Sequence, residues 1–350
     1  GGLGPTPDDL TTEAIASAFN CPLEERKEIW DDIQNKMKVM NKEVSNSNKK
    51  QSFIPKGSDI IPNLSGTAPG IIWSPIENFT ILSFPGVPSE LKDMWSKTAR
   101  SWFQKNTNSE SSITSKTLKI TGISESLLVD KINDLMQISN PTIAPYASLG
   151  EVKLRLTAKA KTEKEGQKML VPIEKQLKER IGSNCYGFNH QTLASVVIGL
   201  LRKRGETVAV AESCTGGGLG AYLSTIPGAS EVFSGGVIAY SNQIKQEILK
   251  VPSGILETHG AVSGAVVKAM AQGVRELCKS DWAIAVSGLA GPGGGSDSKP
   301  VGLVHIAVIG KNFCEERPEK FSQIRDRTSI QYLSVLQSLN RLRLILQARS

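Results

Sequence analysis

Beyond residue 189, the chain alternates short apolar runs with segments of helical character, and three of those runs end in unusual turns. The runs TVAVA, GGVIAYS and DWAIAVS lead into ESCTGGG, NQIK and GLAGPGGG. Such alternation predicts an α/β domain with a largely parallel sheet, which we assign to residues 189–350. Because ligands collect at the carboxyl ends of parallel strands, we expect the three turns to form one site. For any single turn, glycines that only reverse the chain are the favoured interpretation, and only the three turns together favour a site.

The 350 residues exceed what one ordinary hydrophobic core supports, so further domains are expected. Residues 117–188 follow a strand, helix, strand, helix order that predicts a small α+β domain. Residues 107–116 are almost free of apolar side chains and predict a linker. Residues 1–106 predict another α/β domain, interrupted by a polar break at 41–51.

Composition restricts the classes of function. The net charge of +7 is mild and dispersed along the sequence, so a nucleic-acid partner is not expected. Five widely spaced cysteines form no CxxC pair, which disfavours both a disulfide framework and a zinc site and indicates a reducing cytoplasm. No apolar run reaches the roughly 18 residues that cross a bilayer, so no membrane role is expected.

The turn after TVAVA places two candidate nucleophiles together, Ser213 and Cys214. Serine needs a base, and the histidines at 190, 259 and 305 are poorly placed to supply one. Lys245, five residues after Tyr240, is the better candidate, because a desolvated lysine can be neutral and accept a proton. A thiolate at Cys214 stays an alternative, although buried cysteines usually serve packing.

The glycines that follow, 216–218, could direct backbone N–H groups at a phosphate or at a developing oxyanion. The segment CTGGGLG lacks the Lys-Ser/Thr ending of a P-loop and the spacing GxGxxG. An NTP or dinucleotide site is therefore not indicated.

Five segments in the predicted last domain resemble one known family. AESCTGG, GGVIAYSNQIK, HGAVS, SGLAGPGGG and KPVGLVHIA closely resemble, in this order, the nicotinamide-nucleotide amidase domain at the C-terminus of the CinA family. GGLGPTPDDLT, GTAPG and FPGVPSEL resemble the molybdopterin-binding-like domain at the N-terminus of that family. The resemblance implies a multi-domain α/β chain with a molybdopterin-binding-like domain, a KH-type α+β domain and a C-terminal α/β amidase domain.

The resemblance also implies a reaction, namely hydrolysis of nicotinamide mononucleotide to nicotinic acid mononucleotide and ammonia in pyridine nucleotide salvage. It implies Ser213 as nucleophile, Tyr240 and Lys245 as activating partners, and no cofactor for the amidase. Further residues are expected to hold the oxyanion or the substrate, and these are Thr215, Gly216, Gly217, Ser287, Gly288, Gly291, Gly293, Lys299 and Arg325. A homo-oligomer, with a dimer favoured, is expected for the family.

In the N-terminal domain, Asp8 and Asp9 would hold a ligand or a divalent metal, as family members that hydrolyse ADP-ribose imply. The family usually carries a strand-rich segment before GGLGPT, so we expect this domain to be incomplete and activity to reside in the amidase domain. The alternatives are a metal-dependent ADP-ribose pyrophosphatase, or a non-enzymatic binding protein connected with competence or DNA damage. The middle domain contains no GxxG loop, so RNA binding is not implied there.

Overall fold

The computed structural model describes residues 1–106 and 111–349. They form two compact units, divided after residue 110. The predicted multi-domain α/β class is confirmed, with antiparallel sheets in the described parts of the first two domains and a mixed sheet in the last. Among the described helices, none combines the length and the apolar character needed to cross a membrane.

The N-terminal unit contains two small antiparallel sheets, one pairing β1 with β2 and the other ordered β3-β4-β5. Its helices are α1 (Thr11–Ala18), α2 (Lys27–Val39), α3 (Pro88–Met94) and α4 (Arg100–Asn106), and its strands are β1 (Leu23–Glu25), β2 (Phe53–Pro55), β3 (Asp59–Ile61), β4 (Gly70–Ile76) and β5 (Phe79–Ser83). The polar break predicted at 41–51 is wrong in its second half. A 3₁₀ helix occupies Asn46–Ser52 and buries Asn48, Gln51 and Ser52, and the Gln51 amide donates to the Leu3 carbonyl.

The middle domain is a four-stranded antiparallel sheet, ordered β7-β8-β6-β9, with two helices. Its elements are β6 (Ser112–Thr121), α5 (Glu125–Met136), β7 (Thr142–Ser148), β8 (Glu151–Ala160), α6 (Glu163–Ile181) and β9 (Cys185–Phe188). Within the predicted linker, residues 107–110 lie outside the described part, and the chain is already in strand at Ser112, which pairs with Ala160. The linker prediction was therefore too long, because a strand with a polar outer face looks like a linker in sequence.

The last domain carries a five-stranded sheet ordered β11-β10-β12-β13-β14. Its helices are α7 (Leu193–Arg204), α8 (Gly218–Ser224), α9 (Asn242–Glu247), α10 (Ser253–His259), α11 (Gly264–Cys278) and α12 (Arg327–Ala348), and its strands are β10 (Val208–Glu212), β11 (Phe233–Ile238), β12 (Trp282–Gly288), β13 (Leu303–Gly310) and β14 (Phe313–Lys320). One apolar core lies between the sheet and α7, α8 and α12, and a second between the sheet and α10 and α11. Because β10, β11 and β12 are parallel, their carboxyl ends meet at one edge.

Helix α12 also contacts the middle domain. The Arg343 side chain is only 1% exposed, and its guanidinium donates to the Ser183 carbonyl at 2.7 Å and to Asn340. Tyr186 of β9 is buried in the core of the last domain. These contacts make the two domains one compact unit.

Candidate active site

Ser213 lies at the carboxyl end of the central parallel strand. Its N–H donates to the Val286 carbonyl at 2.9 Å, which continues the pairing of β10 with β12 one residue beyond the strand. The chain then turns into α8. Ser213 is thus fixed at the sheet edge, half-buried, where the three predicted turns come together.

Lys245 reaches Ser213 from α9. The Ser241 hydroxyl accepts the Ile244 N–H and starts this helix directly after the Tyr240 turn. The Lys245 Nζ then lies 3.3 Å from the Ser213 Oγ. The pair that we predicted from residues 32 positions apart is therefore in hydrogen-bonding contact.

The surroundings of Lys245 favour a neutral amine. The side chain is 1% exposed, and the other partners of its Nζ are the carbonyls of Ala239 at 2.8 Å and Tyr240 at 3.4 Å. In the described part of the chain, no carboxylate lies within ion-pair distance of it. Burial therefore lowers the pKa of Lys245. A neutral amine that donates its two protons to the two carbonyls keeps its lone pair for the Ser213 hydroxyl.

A buried carboxylate holds the turn that carries Ser213. Glu212 accepts the N–H groups of Gly217 at 3.1 Å, Leu219 at 2.9 Å and Gly220 at 2.7 Å. These are donors at the start of α8 that would otherwise be unsatisfied. Glu212 therefore fixes the glycine turn from inside, a role that we did not predict from the sequence.

This arrangement corrects the predicted oxyanion donors. The Gly217 N–H is taken by Glu212, and the Gly216 N–H donates to the Ser213 carbonyl. The Thr215 side chain is 6% exposed, and within the described residues neither its Oγ1 nor its N–H has a hydrogen-bond partner. Because buried polar groups are normally paired, Thr215 is the one predicted oxyanion donor of this turn whose N–H is left uncommitted by the described residues.

Cys214 is buried in the core between the sheet and α12. Burial raises the pKa of its thiol to about 12, so the thiolate is scarce near neutral pH. The Cys214 carbonyl accepts from Gln331 at 2.8 Å. These contacts fit the packing role expected for Cys214.

The predicted activating role requires the Tyr240 hydroxyl to contact Lys245 or Ser213. The hydroxyl contacts neither of them. The Tyr240 side chain is 60% exposed, and the hydroxyl accepts from Arg327 Nη2 at 2.7 Å, whereas Lys245 contacts the backbone carbonyl of Tyr240. Arg327 Nη1 also donates to the Gly291 carbonyl at 2.8 Å. Arg327 thus links two of the three turns.

Arg325, the arginine predicted for the site, lies elsewhere. It lines a cleft with Ser322, Phe321 and residues of the middle domain. Asp326 accepts the Ser329 N–H and so starts α12, which places Arg327 in the first helical turn and leaves Arg325 in the preceding loop. Of the two arginines, Arg327 and not the predicted Arg325 therefore contacts the turns around Ser213.

The third turn meets the site mainly through backbone. The Ser287 hydroxyl donates to the Ala261 carbonyl at 2.8 Å and is not available to a substrate. Gly288 is required by close strand packing, since a Cβ there would lie 2.6 Å from Val304 Cγ2. Gly291 accepts from Arg327, whereas Gly293 is exposed with open space around it. The Lys299 Nζ donates to the His259 carbonyl at 2.6 Å.

The histidines do not enter the site. His305 Nδ1 pairs with Glu316 Oε1 at 2.7 Å on the neighbouring strands β13 and β14, as a structural histidine would. His259 contributes only its carbonyl to Lys299. His190 lies in the turn before α7.

Asp8 and Asp9 do not make a metal site with the residues around them. The Asp9 carboxylate accepts the N–H of Thr6 at 3.0 Å and its hydroxyl at 2.5 Å, and these bonds lower the pKa of Asp9. Asp8 is exposed. Within residues 1–106 and 111–349, no group of three or more His, Cys, Asp or Glu could hold a metal ion. The donor set does not fit the predicted divalent metal, because Asp9 closes a turn instead.

Comparison with known proteins agrees along the whole chain. Residues 190–346 match the family model of the CinA C-terminal domain, 115–187 that of the damage-inducible protein CinA KH domain, and 1–105 that of a probable molybdopterin binding domain.

Individual relatives extend this match. A CinA-like protein of Parasynechococcus marenigrum (strain WH8102) is 53% identical over 350 residues, which cover 100% of this chain and 84% of that protein. A CinA-like protein of Prochlorococcus marinus (strain MIT 9313) is 55% identical over 346 residues, covering 99% and 81%. The solved structure of competence/damage inducible protein CihA from Agrobacterium tumefaciens is 38% identical and covers 44% of this chain and 93% of its own, with a TM-score of 0.43. With three consecutive domain matches and relatives of more than 50% identity over nearly all of its length, the chain belongs to the CinA family.

Proposed function

We propose that the last domain hydrolyses the carboxamide of nicotinamide mononucleotide to nicotinic acid mononucleotide and ammonia. The observation that carries the proposal is a buried lysine that has no carboxylate partner among the described residues and whose Nζ lies 3.3 Å from a serine Oγ, at the carboxyl ends of three parallel strands. The choice of substrate rests on the family resemblance of the same segments.

In the first half of the reaction, the Lys245 amine removes the Ser213 proton as the Oγ attacks the carboxamide carbon. The negative charge moves to the amide oxygen, for which we propose the Thr215 N–H and hydroxyl as donors. When the C–N bond breaks, the Lys245 ammonium returns the proton to the leaving nitrogen. Ammonia departs and an ester of Ser213 remains.

In the second half, water takes the place of ammonia. The Lys245 amine, neutral again, removes a proton from water as its oxygen attacks the ester carbon. The same donors hold the second oxyanion, and Ser213 leaves with the proton from Lys245. The products are the carboxylate and the original enzyme, so no cofactor is consumed.

The phosphate of the substrate needs cationic partners at the mouth of the site. Arg327 and Lys299 are the candidates, since Arg327 already contacts Tyr240 and Gly291, and the one described partner of the Lys299 ammonium is a carbonyl. A guanidinium suits a phosphate because it can donate two parallel hydrogen bonds.

Incubation of the full chain with nicotinamide mononucleotide, followed by detection of ammonia and the acid product, tests the proposal. Ser213→Ala and Lys245→Ala are expected to abolish turnover, whereas Cys214→Ala is expected to keep it. An inactive Cys214→Ala protein beside an active Ser213→Ala protein would refute the assignment of the nucleophile. Absence of product from the unaltered protein would refute the reaction itself.

A further inference from the structure

The sheet of the middle domain has one face that no helix of that domain covers. Side chains alternate along β6 and β8, and one set, including Leu118, Leu154 and Leu156, is buried with α5 and α6. The other set points to the opposite side and, apart from Ile113 of β6, is polar or charged. We call it the open face, and its members are Ser115, Thr117, Lys119, Tyr146, Lys153, Arg155, Thr157 and Lys159.

Four cations lie on the open face, and strand pairing brings them together. Lys119 of β6 is directly opposite Lys153 of β8, and Arg155 and Lys159 follow on the same side of β8. None of the four forms an ion pair with a described residue. Like charges directly opposite one another destabilise a sheet, so this pairing is unfavourable in the protein alone.

Glu151, the acidic neighbour of the open face, offsets only part of the positive charge there. Glu151 begins β8 on the same side, but its carboxylate accepts the hydroxyl of the buried Tyr186. Burial and the charge of Lys153 both lower the pKa of Lys119, although Glu151 acts in the opposite direction. An anionic ligand would remove the repulsion that the protein leaves in place.

The open face also offers an aromatic ring and hydroxyl groups. Tyr146 of β7 is opposite Lys153 and is 53% exposed. Ser115 Oγ lies 3.1 Å from Thr157 Oγ1 and 3.5 Å from Arg155 Nη2. Bases stack on exposed aromatic rings of this kind, while cations along a sheet follow the phosphates.

We propose that the open face binds single-stranded nucleic acid, with phosphates on Lys119, Lys153, Arg155 and Lys159 and a base stacked on Tyr146. This mode needs no GxxG loop, since it uses the sheet instead of a helix groove. A duplex fits less well, because its bases are stacked and are reached only through a groove. The sequence disfavoured nucleic acid because these cations are dispersed along the chain, and only the strand register collects them.

The test measures binding of the full chain to fluorescein-labelled 12-nucleotide oligo-U and oligo-dT by anisotropy, from 50 to 200 mM salt. Lys153→Glu/Arg155→Glu is compared with Lys164→Glu/Lys168→Glu on the exposed surface of α6. Each double variant lowers the net charge by two units per site, from +7 to +3. We expect the open-face double variant to bind at least about tenfold more weakly than the unaltered protein. The α6 double variant should lose less than about threefold in affinity. The open-face pair should also reduce the slope of log K against log salt by about 1.4, at about 0.7 per phosphate contact.

A second pair of variants tests the stacking. Tyr146→Ala should weaken binding at least about fivefold, the lower end for loss of a stacked base, whereas Tyr146→Phe should keep most of it. Far-UV circular dichroism on heating checks that all variants fold, and Lys153→Gln/Arg155→Gln replaces the charge reversal if that protein does not.

Several results would overturn the proposal: no binding at 50 mM salt, equal loss in both double variants, tighter binding to a duplex of the same length, or binding to phosphatidylserine vesicles without binding to the oligonucleotides. Amidase activity is measured on the same proteins. Loss of nucleic-acid binding with full amidase activity separates this surface from the proposed active site.

Discussion

Replacement of Glu212 by glutamine tests whether this carboxylate holds the nucleophile turn. The glutamine carbonyl can replace Oε2 and keep the N–H groups of Gly217 and Leu219. In the unaltered protein, the Gly220 N–H lies 2.7 Å from Oε1. In the variant, the amide nitrogen of the glutamine takes that place, so two hydrogen-bond donors face each other. One hydrogen bond to a charged acceptor contributes about 1.5–3 kcal/mol. We therefore expect the turn to be destabilised by about 2–3 kcal/mol.

Hydrogen exchange of the full chain, followed by mass spectrometry of the peptide 214–224, measures this directly. Amides that exchange through local opening should exchange about 30- to 140-fold faster in Glu212→Gln, because about 1.4 kcal/mol corresponds to a factor of ten. Turnover should fall as well, since Ser213 immediately follows Glu212.

Glu231→Gln is the matched control for this variant. Glu231 forms an exposed ion pair with Arg202 at 3.1 Å, which contributes little to stability. If the exchange rate of the 214–224 peptide in Glu212→Gln is within about twofold of that in the unaltered protein, Glu212 does not stabilise the turn as argued. Equal acceleration in the control would do so too.

Other predictions concern the site itself. Lys245→Met should lower turnover by about 10²–10⁴-fold. In the unaltered protein, kcat/KM should rise with pH through the lowered pKa of Lys245. A kcat/KM that falls with rising pH in that range would exclude the lysine as the base. Between that lowered pKa and the ordinary value of about 10.4, the unfolded chain binds more protons, so stability should rise with pH in urea titrations, and Lys245→Met should flatten that rise. Tyr240→Phe, which loses the hydrogen bond from Arg327, should raise KM about fivefold with kcat within about twofold, and a collapse of kcat would restore an activating role for the hydroxyl. In Cys214→Ala, the free energy of unfolding from urea titration should fall by about 1 kcal/mol, while turnover is kept. Loss of turnover in the folded variant would count against a packing role for Cys214.

The contact between Ser213 and Lys245 could be predicted from the sequence because it depends on the order of strands and turns and on which bases are available. Parallel strands must end at one edge, so the turns at Ser213, Tyr240 and Gly288 had to meet if the α/β pattern was right. The lack of a suitable histidine then left Lys245 as the base, and the contact with Ser213 is present.

The arginine and the oxyanion donors could not be predicted in the same way. The choice between Arg325 and Arg327 depends on where α12 begins, which the Asp326 cap decides. One signal was available, since a cation in the first turn of a helix opposes the helix dipole and therefore suggests another use. The loss of Gly217 as a donor depends on the Glu212 carboxylate, whose direction no pattern of residues shows.

The strands that sequence reasoning missed are mostly edge strands. β7 and β14 each contain a proline and polar or charged side chains, and each lies at the end of its sheet. Edge strands carry such residues because they pair on one side only and must resist further pairing. Their sequences therefore lack the apolar alternation that identifies a central strand.

The direction of Glu212 also explains how a buried lysine stays unpaired. Glu212 precedes the nucleophile by one residue and is buried, as Lys245 is, so an ion pair between them would be an obvious way to neutralise both. Such a pair would raise the pKa of Lys245 and keep it protonated, unable to accept the Ser213 proton. The glycine turn prevents this, because its N–H groups satisfy the carboxylate with three hydrogen bonds. The turn after Ser213 thus serves the base as well as the nucleophile, since its N–H groups engage a neighbouring buried carboxylate that could otherwise pair with the lysine.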